Sequence, residues 1–546
     1  MEPEATPSRL RLLLRPGALG SLRLPHRVVM GAMHLGFESR QGGGAAMAAF
    51  YGARARAGAG LMVTGGAAVS REGAGGRNYG RLDADEDRRL FAEAAAEVHR
   101  QGGLIALQLF HAGRYASPQA FGLQPVAPSA VYSRYSRCEP RALSPKEVEG
   151  TLEDFSRGAG WARRLGFDAV EVMGSEGYLV DQFLSPLTNL RTDDFGGDPP
   201  RRRRFGLEVL ARVRQAVGSD FPVIFRFTGW DLMPGGTPRR ESLDFAQELA
   251  RAGADALNVG IGWHESPVPT VQALVPPGAW TGVAARVKRA VGEVPVMAGT
   301  RINRLLEAER ILAATGIDFV SMARPFLADP ELMEKARSGR AVNVCIACNQ
   351  ACIDRSLDDR AVSCMVNPRA GHESEPESPT VSGPAASPGM PRLRLAVVGA
   401  GPAGLEAARD LALLGHRVEL FEASSSLGGQ FLLARRVPGK ADFGSTVAYF
   451  GAELSRLGVR VHLRRQIGAA DQVLLAGYDG LVVATGVRPR PVDIPISGTP
   501  RILSYPEAFA KGALEGRVAV VGGGGIGVDI AHLASHGEEA GKGIAR

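Results

Sequence analysis

Eight short apolar runs, separated by helical stretches, constrain this chain more than any other feature. They read VVMGAMH (28–34), LMVTGG (61–66), LIALQLF (104–110), AVEVMGS (169–175), PVIFRFT (222–228), ALNVGIG (256–262), PVMAG (295–299) and FVSMAR (319–324). The segments between them, such as 84–101, 146–165 and 241–252, repeat apolar residues at helical spacing. A strand that is apolar along its whole length is buried on both faces, and a parallel sheet covered by helices provides that burial. Eight such units predict an α/β fold that opens with a (β/α)8 TIM barrel over residues 1–340.

Chemistry in such a barrel gathers where strands end and loops begin. The predicted strand ends carry Met33 and His34, Gly65 and Gly66, Gln108 and His111, Glu176 and Tyr178, Arg226, His264, Arg301, and Ala323 with Arg324. Glutamine, three arginines, histidine and tyrosine beside close-approach glycines suit a phosphorylated, hydrogen-bonding cofactor. Arg301 and Arg324 fall at the last two strands, where barrels often hold phosphate.

At 546 residues the chain is too long for one core. Its net charge of +7 raises nucleic acid as a partner, but the one dense basic run, Arg201–Arg204, is flanked by acids. No basic tail or aromatic–basic stripe accompanies it, which argues against nucleic-acid binding. No run approaches the ~20 apolar residues of a membrane span and no signal peptide is visible, so a cytoplasmic protein without a membrane partner is expected. In that compartment, closely spaced cysteines are ligands before they are disulfides.

Four of the five cysteines, Cys345, Cys348, Cys352 and Cys364, fall in CIACNQACIDRSLDDRAVSC. The spacing alone leaves zinc and iron–sulfur open, and the crowded three-plus-one arrangement favours a [4Fe–4S] cluster over residues 341–370. Cys138 stands apart and is read as structural. Residues 371–391 are rich in Pro, Ser, Glu and Gly and form a predicted linker.

Beyond it, LRLAVVGAGPAGLEAARDLALLGHRVELFEAS reads as strand, glycine turn, helix and a second strand ending in an acid. Gly399, Gly401 and Gly404 set the turn, and Glu422 lies 18 residues past Gly404, at the ribose-binding position of a dinucleotide fold. A Rossmann-like domain over 392–515 follows. A second glycine signature, Gly522, Gly524 and Gly527, predicts the start of an NAD(P)-binding domain over 516–546. The sequence stops 19 residues past Gly527, short of a second strand, so the nicotinamide site is expected to be incomplete in a C-terminally truncated chain.

MGSEGYLVDQFLSPLTNLRTDDFGGD, GIGWHESPVPT and SMARPFLADPEL, followed by the cysteine segment, resemble the old yellow enzyme relatives that carry an iron–sulfur cluster. The 2,4-dienoyl-CoA reductases are the nearer likeness and trimethylamine dehydrogenase a more distant one, over about residues 20–535. The resemblance implies non-covalent FMN held by Ala32, Met33, His34, Gly66, Gln108, Arg226, Arg301, Ala323 and Arg324. It makes Tyr178 and His264 catalytic, with Glu176 in the same loop, and makes the four cysteines ligands of a [4Fe–4S] cluster. In the second domain, PAG, LGGQ and ATG (484–486) resemble FAD-binding disulfide-reductase domains, which implies FAD contacts at Ala403, Glu422, Gln430, Lys440 and Ile467. Leu187 departs from the dienoyl-CoA reductases, which carry an arginine there, and leaves enones and enoates open beside a CoA thioester.

The expected activity is NAD(P)H-dependent reduction of an activated C=C bond in a small-molecule substrate, with electrons passing from FAD through the cluster to FMN. The competing expectation is an amine or alcohol dehydrogenase that hands electrons to a protein acceptor. The Tyr178 and His264 pattern, and no sign of an aromatic bowl for an amine, speak against it. A third reading, from the unfinished end, is a chain that only binds or assembles cofactors.

Overall fold

The computed structural model of the chain describes residues 6–375, 391–490, 494–512 and 514–536. Most of the predicted linker and the tail after His536 lie outside these residues. The chain divides into two units, Met1–Glu375 and Pro376–Arg546.

The first unit is a closed parallel barrel of eight strands: β1 (Val28–Met30), β2 (Leu61–Ala68), β3 (Leu104–Phe110), β4 (Ala169–Gly174), β5 (Val223–Trp230), β6 (Ala256–Ile261), β7 (Val296–Ala298) and β8 (Phe319–Ser321). Each strand falls on one of the eight apolar runs. Helices α1 (Gly43–Arg56), α2 (Asp85–Arg100), α3 (Pro145–Arg164), α4 (Pro199–Val217), α5 (Arg239–Arg251), α6 (Thr281–Val291) and α7 (Leu305–Thr315) connect them.

Residues of alternate parity fill the barrel's interior: Val29, Leu61, Val63, Ala106, Ala169, Ile224, Ala256, Met297 and Phe319, joined by Leu19 and Leu24 of a hairpin before β1. The opposite parity packs against the helices, so every residue of β2 and β4 is buried. Local signals set the helix starts. Ser144 and Glu147 form a capping box at α3, and the Asp198 carboxylate accepts the Arg201 N–H at 2.9 Å at the start of α4. In the basic run, Arg201 pairs with Asp198, Arg202 with Glu241, Arg203 with Glu248 and Arg204 with Asp194. Among the described residues no helix is long and apolar enough to cross a membrane.

The second unit carries a four-stranded parallel sheet of β9 (Arg394–Val398), β10 (Arg417–Phe421), β11 (Arg460–His462) and β12 (Gly480–Val483), in the order β11-β10-β9-β12. Helix α8 (Pro402–Leu413) leaves the glycine turn after β9, as a Rossmann-type domain requires. At the second glycine signature, residues 518–521 form no strand among the described residues, and the helix Gly525–His536 follows.

Candidate active site

The mouth of the barrel is built from strand ends. After β1 the chain runs through Ala32, Met33 and His34; a Cβ on Gly65, inside β2, would lie 2.5 Å from the Met33 carbonyl oxygen. The β2–β3 pairing shifts register between Val63 and Gly66, a bulge that spans Gly65, and resumes through Ala68. His34 stacks on Tyr79 with ring centroids 3.8 Å apart, and its Nδ1 is buried without a partner in the protein. Burial lowers the His34 pKa to about 4, so this ring is neutral and offers a buried nitrogen to a ligand.

Deeper in the barrel, Gln108 donates from Nε2 to Glu171 at 2.7 Å, and Asn258 donates from Nδ2 to the other Glu171 oxygen at 2.8 Å. Glu171 is completely buried; burial raises its pKa, while Arg226 and the two amides oppose the rise. Arg226 donates to Glu176 at 2.8 Å and to Ser175 Oγ at 3.1 Å. Burial disfavours its charge, but Glu176 and Glu171 outweigh that and hold its pKa above the usual value.

Glu176 sits at φ +54°, a left-handed conformation costly for a residue with a Cβ. Two groups hold the turn. Thr228 Oγ1 accepts the Glu176 N–H at 3.0 Å and donates to Asp181 at 2.6 Å, and Asp181 accepts the Gly177 N–H at 2.9 Å. Burial lifts Asp181 to about 8 despite those two donors.

This turn delivers Tyr178 to the mouth, where its hydroxyl lies 2.8 Å from His264 Nε2. His264 follows β6, on a loop whose backbone N–H reaches the Glu176 carbonyl. Burial raises the Tyr178 pKa well above 10, with Tyr79, Tyr135 and Glu176 adding to it, so the phenol keeps its proton at neutral pH. His264 keeps solvent access at one edge but sits among aromatic rings; burial there lowers its pKa, with Glu176 and Glu265 opposing. The geometry is a protonated phenol against a neutral imidazole, with a path to water behind it.

The aromatic surroundings correct one expectation. A train of rings runs His34–Tyr79–Phe110–Tyr178–His264–Tyr135, each step 3.8–5.3 Å between centroids, with Tyr115 against Tyr135, Tyr178 and His264. These rings come from separate loops across more than two hundred residues of chain, so no local run of sequence announces them.

The two late arginines each give some of their donors to the protein itself. Arg301, at φ +63°, donates to the carbonyls of Val275 (2.8 Å) and Ala273 (3.3 Å). Arg324 donates to the Val271 carbonyl (2.9 Å) and to Asn349 Oδ1 (2.7 Å), reaching into the cysteine segment. There Cys345, Cys348, Cys352 and Cys364 line a single cavity, which Arg324 also borders. Left-handed Ala347 and Asn349, at φ +54° and +63°, alternate with the first cysteines and bend the segment around it. Burial pushes the Cys348, Cys352 and Cys364 thiols up, Cys352 to about 11. Among the described residues no three His, Cys, Asp or Glu side chains converge closely enough to hold a single metal ion. Cys138 belongs to a surface turn paired with Ser133. His111, a strand-end candidate, uses Nδ1 to accept the Gly113 N–H at 3.0 Å and is structural. Leu187 is half-buried, 3.5 Å from where a Cβ on Gly235 would stand.

In the second unit, three motifs close on one turn. A Cβ on Gly404 would collide with the Gly399 carbonyl, and one on Gly399 with the Ala484 carbonyl of the ATG motif. Gly428 of LGGQ donates its N–H to Ala400 at 2.8 Å. Glu422 accepts from the Ala400 and Ser424 N–H groups, each at 2.7 Å; partial burial works against its charge, but those donors hold its pKa low. Gly401 is open, as a turn meant for close approach to a ligand should be. Ala403 and Gln430 are exposed, Ile467 is half-exposed, and Lys440 pairs with Asp529 at 2.6 Å. The second signature repeats the contact, since a Cβ on Gly527 would collide with the Gly522 carbonyl; Gly524 is open.

Sequence reasoning missed Glu171, Asn258, Asp181, Thr228 and the Arg114–Glu265 pair. Glu171 and Asn258 left a signal: each is a polar residue inside a run that is otherwise apolar and buried on both faces.

A closed barrel with polar strand ends precedes a dinucleotide-type domain, and the family profiles matching the two regions make the chain a flavin-dependent oxidoreductase. By its sequence the chain belongs to the NADH:flavin oxidoreductase / NADH oxidase family, whose profile matches residues 12–343. The pyridine nucleotide-disulphide oxidoreductase profile matches residues 393–540. A metal reductase from Desulforamulus reducens is 40% identical over 533 residues, covering 96% of this chain and 78% of that protein. Among solved structures, the complex of a 2-naphthoyl-CoA reductase with 2-naphthoyl-CoA aligns with a TM-score of 0.84 at 31% identity, covering 89% of this chain and 75% of that one. A histamine dehydrogenase from Rhizobium sp. 4-9 aligns with a TM-score of 0.79 at 27% identity, covering 88% and 70%.

Proposed function

We propose that the chain reduces an activated C=C bond at the barrel mouth, with electrons drawn from NAD(P)H through FAD and a [4Fe–4S] cluster to FMN. One observation carries the reading: the protonated Tyr178 hydroxyl, 2.8 Å from His264 Nε2, stands at the strand-end face. The unpartnered Nδ1 of His34 fits a flavin there, while Gly65 and Gly66 allow the close approach of Met33 and Phe110. His34, Gln108 and Arg226 would hold its ring system, and Arg301 and Arg324 its phosphate end. FMN bound there would supply hydride chemistry toward one alkene carbon. Tyr178 then gives its phenolic proton to the neighbouring carbon, and His264, open to water at one edge, returns a proton to Tyr178. Gln108 has one amide hydrogen spent on Glu171, which fixes which way its carbonyl faces a ligand.

The four cysteines surround one cavity as an all-thiol donor set, which fits an iron–sulfur cluster. Such a cluster supplies one-electron steps between two flavins. The Gly399–Gly404 turn with Glu422 would hold the FAD pyrophosphate and ribose. Completion of the nicotinamide site from Gly522–Gly527 belongs to the same proposal.

Dithionite-reduced holoenzyme mixed with enones, enoates and dienoyl-CoAs tests the activity. Reoxidation by at least one class is expected, and Tyr178→Phe slows it by roughly two to four orders of magnitude. An unchanged rate removes Tyr178 from the mechanism. Iron and acid-labile sulfide should accompany the purified protein; flavin absorbance without them ends the relay.

The aromatic train favours a second reading, oxidation of an amine, because ring faces attract cations. Bleaching of oxidised enzyme by amines under anaerobic conditions, with no reoxidation by enones, selects it. The neutral phenol favours the first reading, since it donates a proton where amine oxidation calls for a base.

A further inference from the structure

We infer that the buried Arg54–Glu373 ion pair tunes the one-electron potential of the cluster at the four cysteines, Arg54 raising it and Glu373 offsetting the rise. This rests on the iron–sulfur reading of the cysteine segment and adds the residues that set its electron affinity. Arg54 lies on α1, completely buried, within the apolar core that Cys352 and Cys364 pack against. Its Nε donates to the Phe326 carbonyl at 3.0 Å, and the next residue, Leu327, lines the cysteine cavity. Its Nη1 donates to the Phe50 carbonyl at 2.6 Å and to Glu373 at 2.9 Å. The guanidinium carbon stands 3.4 Å from the centroid of the Phe50 ring, so ring and hydrogen bonds together hold the head group in place. Glu373 comes from the chain after Cys364, and its second oxygen accepts the Gly371 N–H at 2.8 Å. Arg54 thus bonds to the chain before the cysteine segment, at Phe326, and after it, at Glu373.

Two features point beyond fastening. Nη2 of Arg54 is buried without a hydrogen-bond partner among the described residues, in an interior where an unused donor is costly. Cys364 is also among the groups that support the Arg54 charge: burial draws the Arg54 pKa down, and Glu373, Tyr51 and Cys364 oppose the fall. An arginine keeps its proton in a protein, so a fixed cation stands within electrostatic reach of the fourth cysteine. On the cavity wall, Arg324 opposes the burial-driven rise at Cys348 and Cys352.

Reduction adds one electron to the cluster, and with it one negative charge. In a dry surrounding a nearby cation stabilises that form and a carboxylate destabilises it, because little water screens either. Removing one unit charge changes the reduction equilibrium by roughly tenfold, about 59 mV for a one-electron step.

The test is a redox titration of the purified full-length holoenzyme followed by electron paramagnetic resonance, with iron and acid-labile sulfide measured on each sample. Glu373→Gln leaves the Arg54 charge unopposed and should favour the reduced cluster by roughly tenfold. Arg54→Met removes the cation and should disfavour it by a similar factor, while Arg54→Lys, which keeps the charge, should stay near wild type. Because Arg54→Met strands a carboxylate, Arg54→Met combined with Glu373→Gln serves as its folded counterpart and should fall between the two single variants. Opposite signs are the decisive result, since a pair that only fastens the fold would loosen the site the same way whichever partner is lost. Glu373→Gln with full iron content and an unshifted potential overturns the tuning role, and so do shifts of one sign in both single variants. Folded variants that lose iron overturn it as well and make the pair a scaffold for cluster binding. Wild-type protein without iron or acid-labile sulfide overturns both this inference and the iron–sulfur reading.

Discussion

The two units solve the problem of placing a cofactor in opposite ways. In the barrel, side chains do the placing. Gln108, Asn258, Glu171, Arg226, Glu176 and Asp181 hold one another by buried hydrogen bonds, and rigid strands fix their origins. In the second unit, backbone does it: a glycine turn, two facing motifs and one carboxylate bonded to two N–H groups. The surroundings differ as well. The barrel buries its strands on both faces, whereas β12 leaves Leu481 and Val483 46% and 68% exposed. A side-chain site fails gradually when one partner is lost. A backbone site fails when its turn can no longer form.

The largest effect is therefore expected from a single methyl-bearing substitution in the second unit. Gly404→Val sets a side chain against the Gly399 carbonyl and opens the turn. Flavin released by denaturation and separated by chromatography should then be FMN with FAD lost. Retention of both flavins would show that FAD does not rest on this turn.

Glu171→Ala is the barrel's counterpart. It strands the Gln108 and Asn258 amides in a dry interior, which costs about 2–6 kcal/mol for two unsatisfied groups. Urea denaturation followed by barrel tryptophan fluorescence should show the loss, with FAD content unchanged. Glu171→Gln, which keeps one acceptor, should cost less.

How far this contrast was legible in the sequence follows from what each unit uses. The eight strands could be read because runs such as LMVTGG and LIALQLF are apolar throughout, and the structure puts a strand on each. The glycine turn of the second unit was equally plain, since a short contiguous motif encodes a backbone site. The barrel's internal wiring was not. Glu171 meets Asn258 across 87 residues, and Glu265 meets Arg134 across 131, so their pairing exists only once the barrel closes. The second glycine signature is plain in sequence too, and among the described residues its helix forms while 518–521 lie in no strand.

Acid and base should separate the units by a smaller amount. In the barrel, burial raises Glu38 to about 7 and Asp181 to about 8, while His26 and His34 fall to about 4 and His111 to about 3. Between about pH 4 and 6.5 the unfolded chain takes up protons at those histidines that the folded barrel refuses, so they add stability as pH rises. The two carboxyls act oppositely: folded, they hold protons that the unfolded chain has released, so they remove stability as pH rises toward 8. Above pH 6.5 the histidine effect is spent and the carboxyl effect remains. The barrel's thermal midpoint should fall from pH 6.5 to 8.5. In the second unit, Glu419 and Glu422 are held below their usual values. Their contribution is full above the ordinary carboxylate range and disappears only on acidification, so its midpoint should hold steady over the same interval. Calorimetry at the two pH values distinguishes the transitions, and a shared fall would erase the distinction.

The smallest effect probes the uncovered strand. Val483 ends β12 with its side chain mostly in water, while Val63 occupies the barrel's closed interior. Asparagine has little to lose at the first position and much at the second, where it brings an amide into a space without partners. Val63→Asn should cost several kcal/mol, and Val483→Asn less than about 0.5 kcal/mol. The second value is the informative one. If Val483→Asn proves as costly as a core substitution, something covers β12 in solution, and sedimentation of wild type against the variant will tell whether that cover is another copy of this chain. If the cost is small, the apolar residues on that strand stand in water, and the second unit keeps its fold through the turn and the inner sheet face alone.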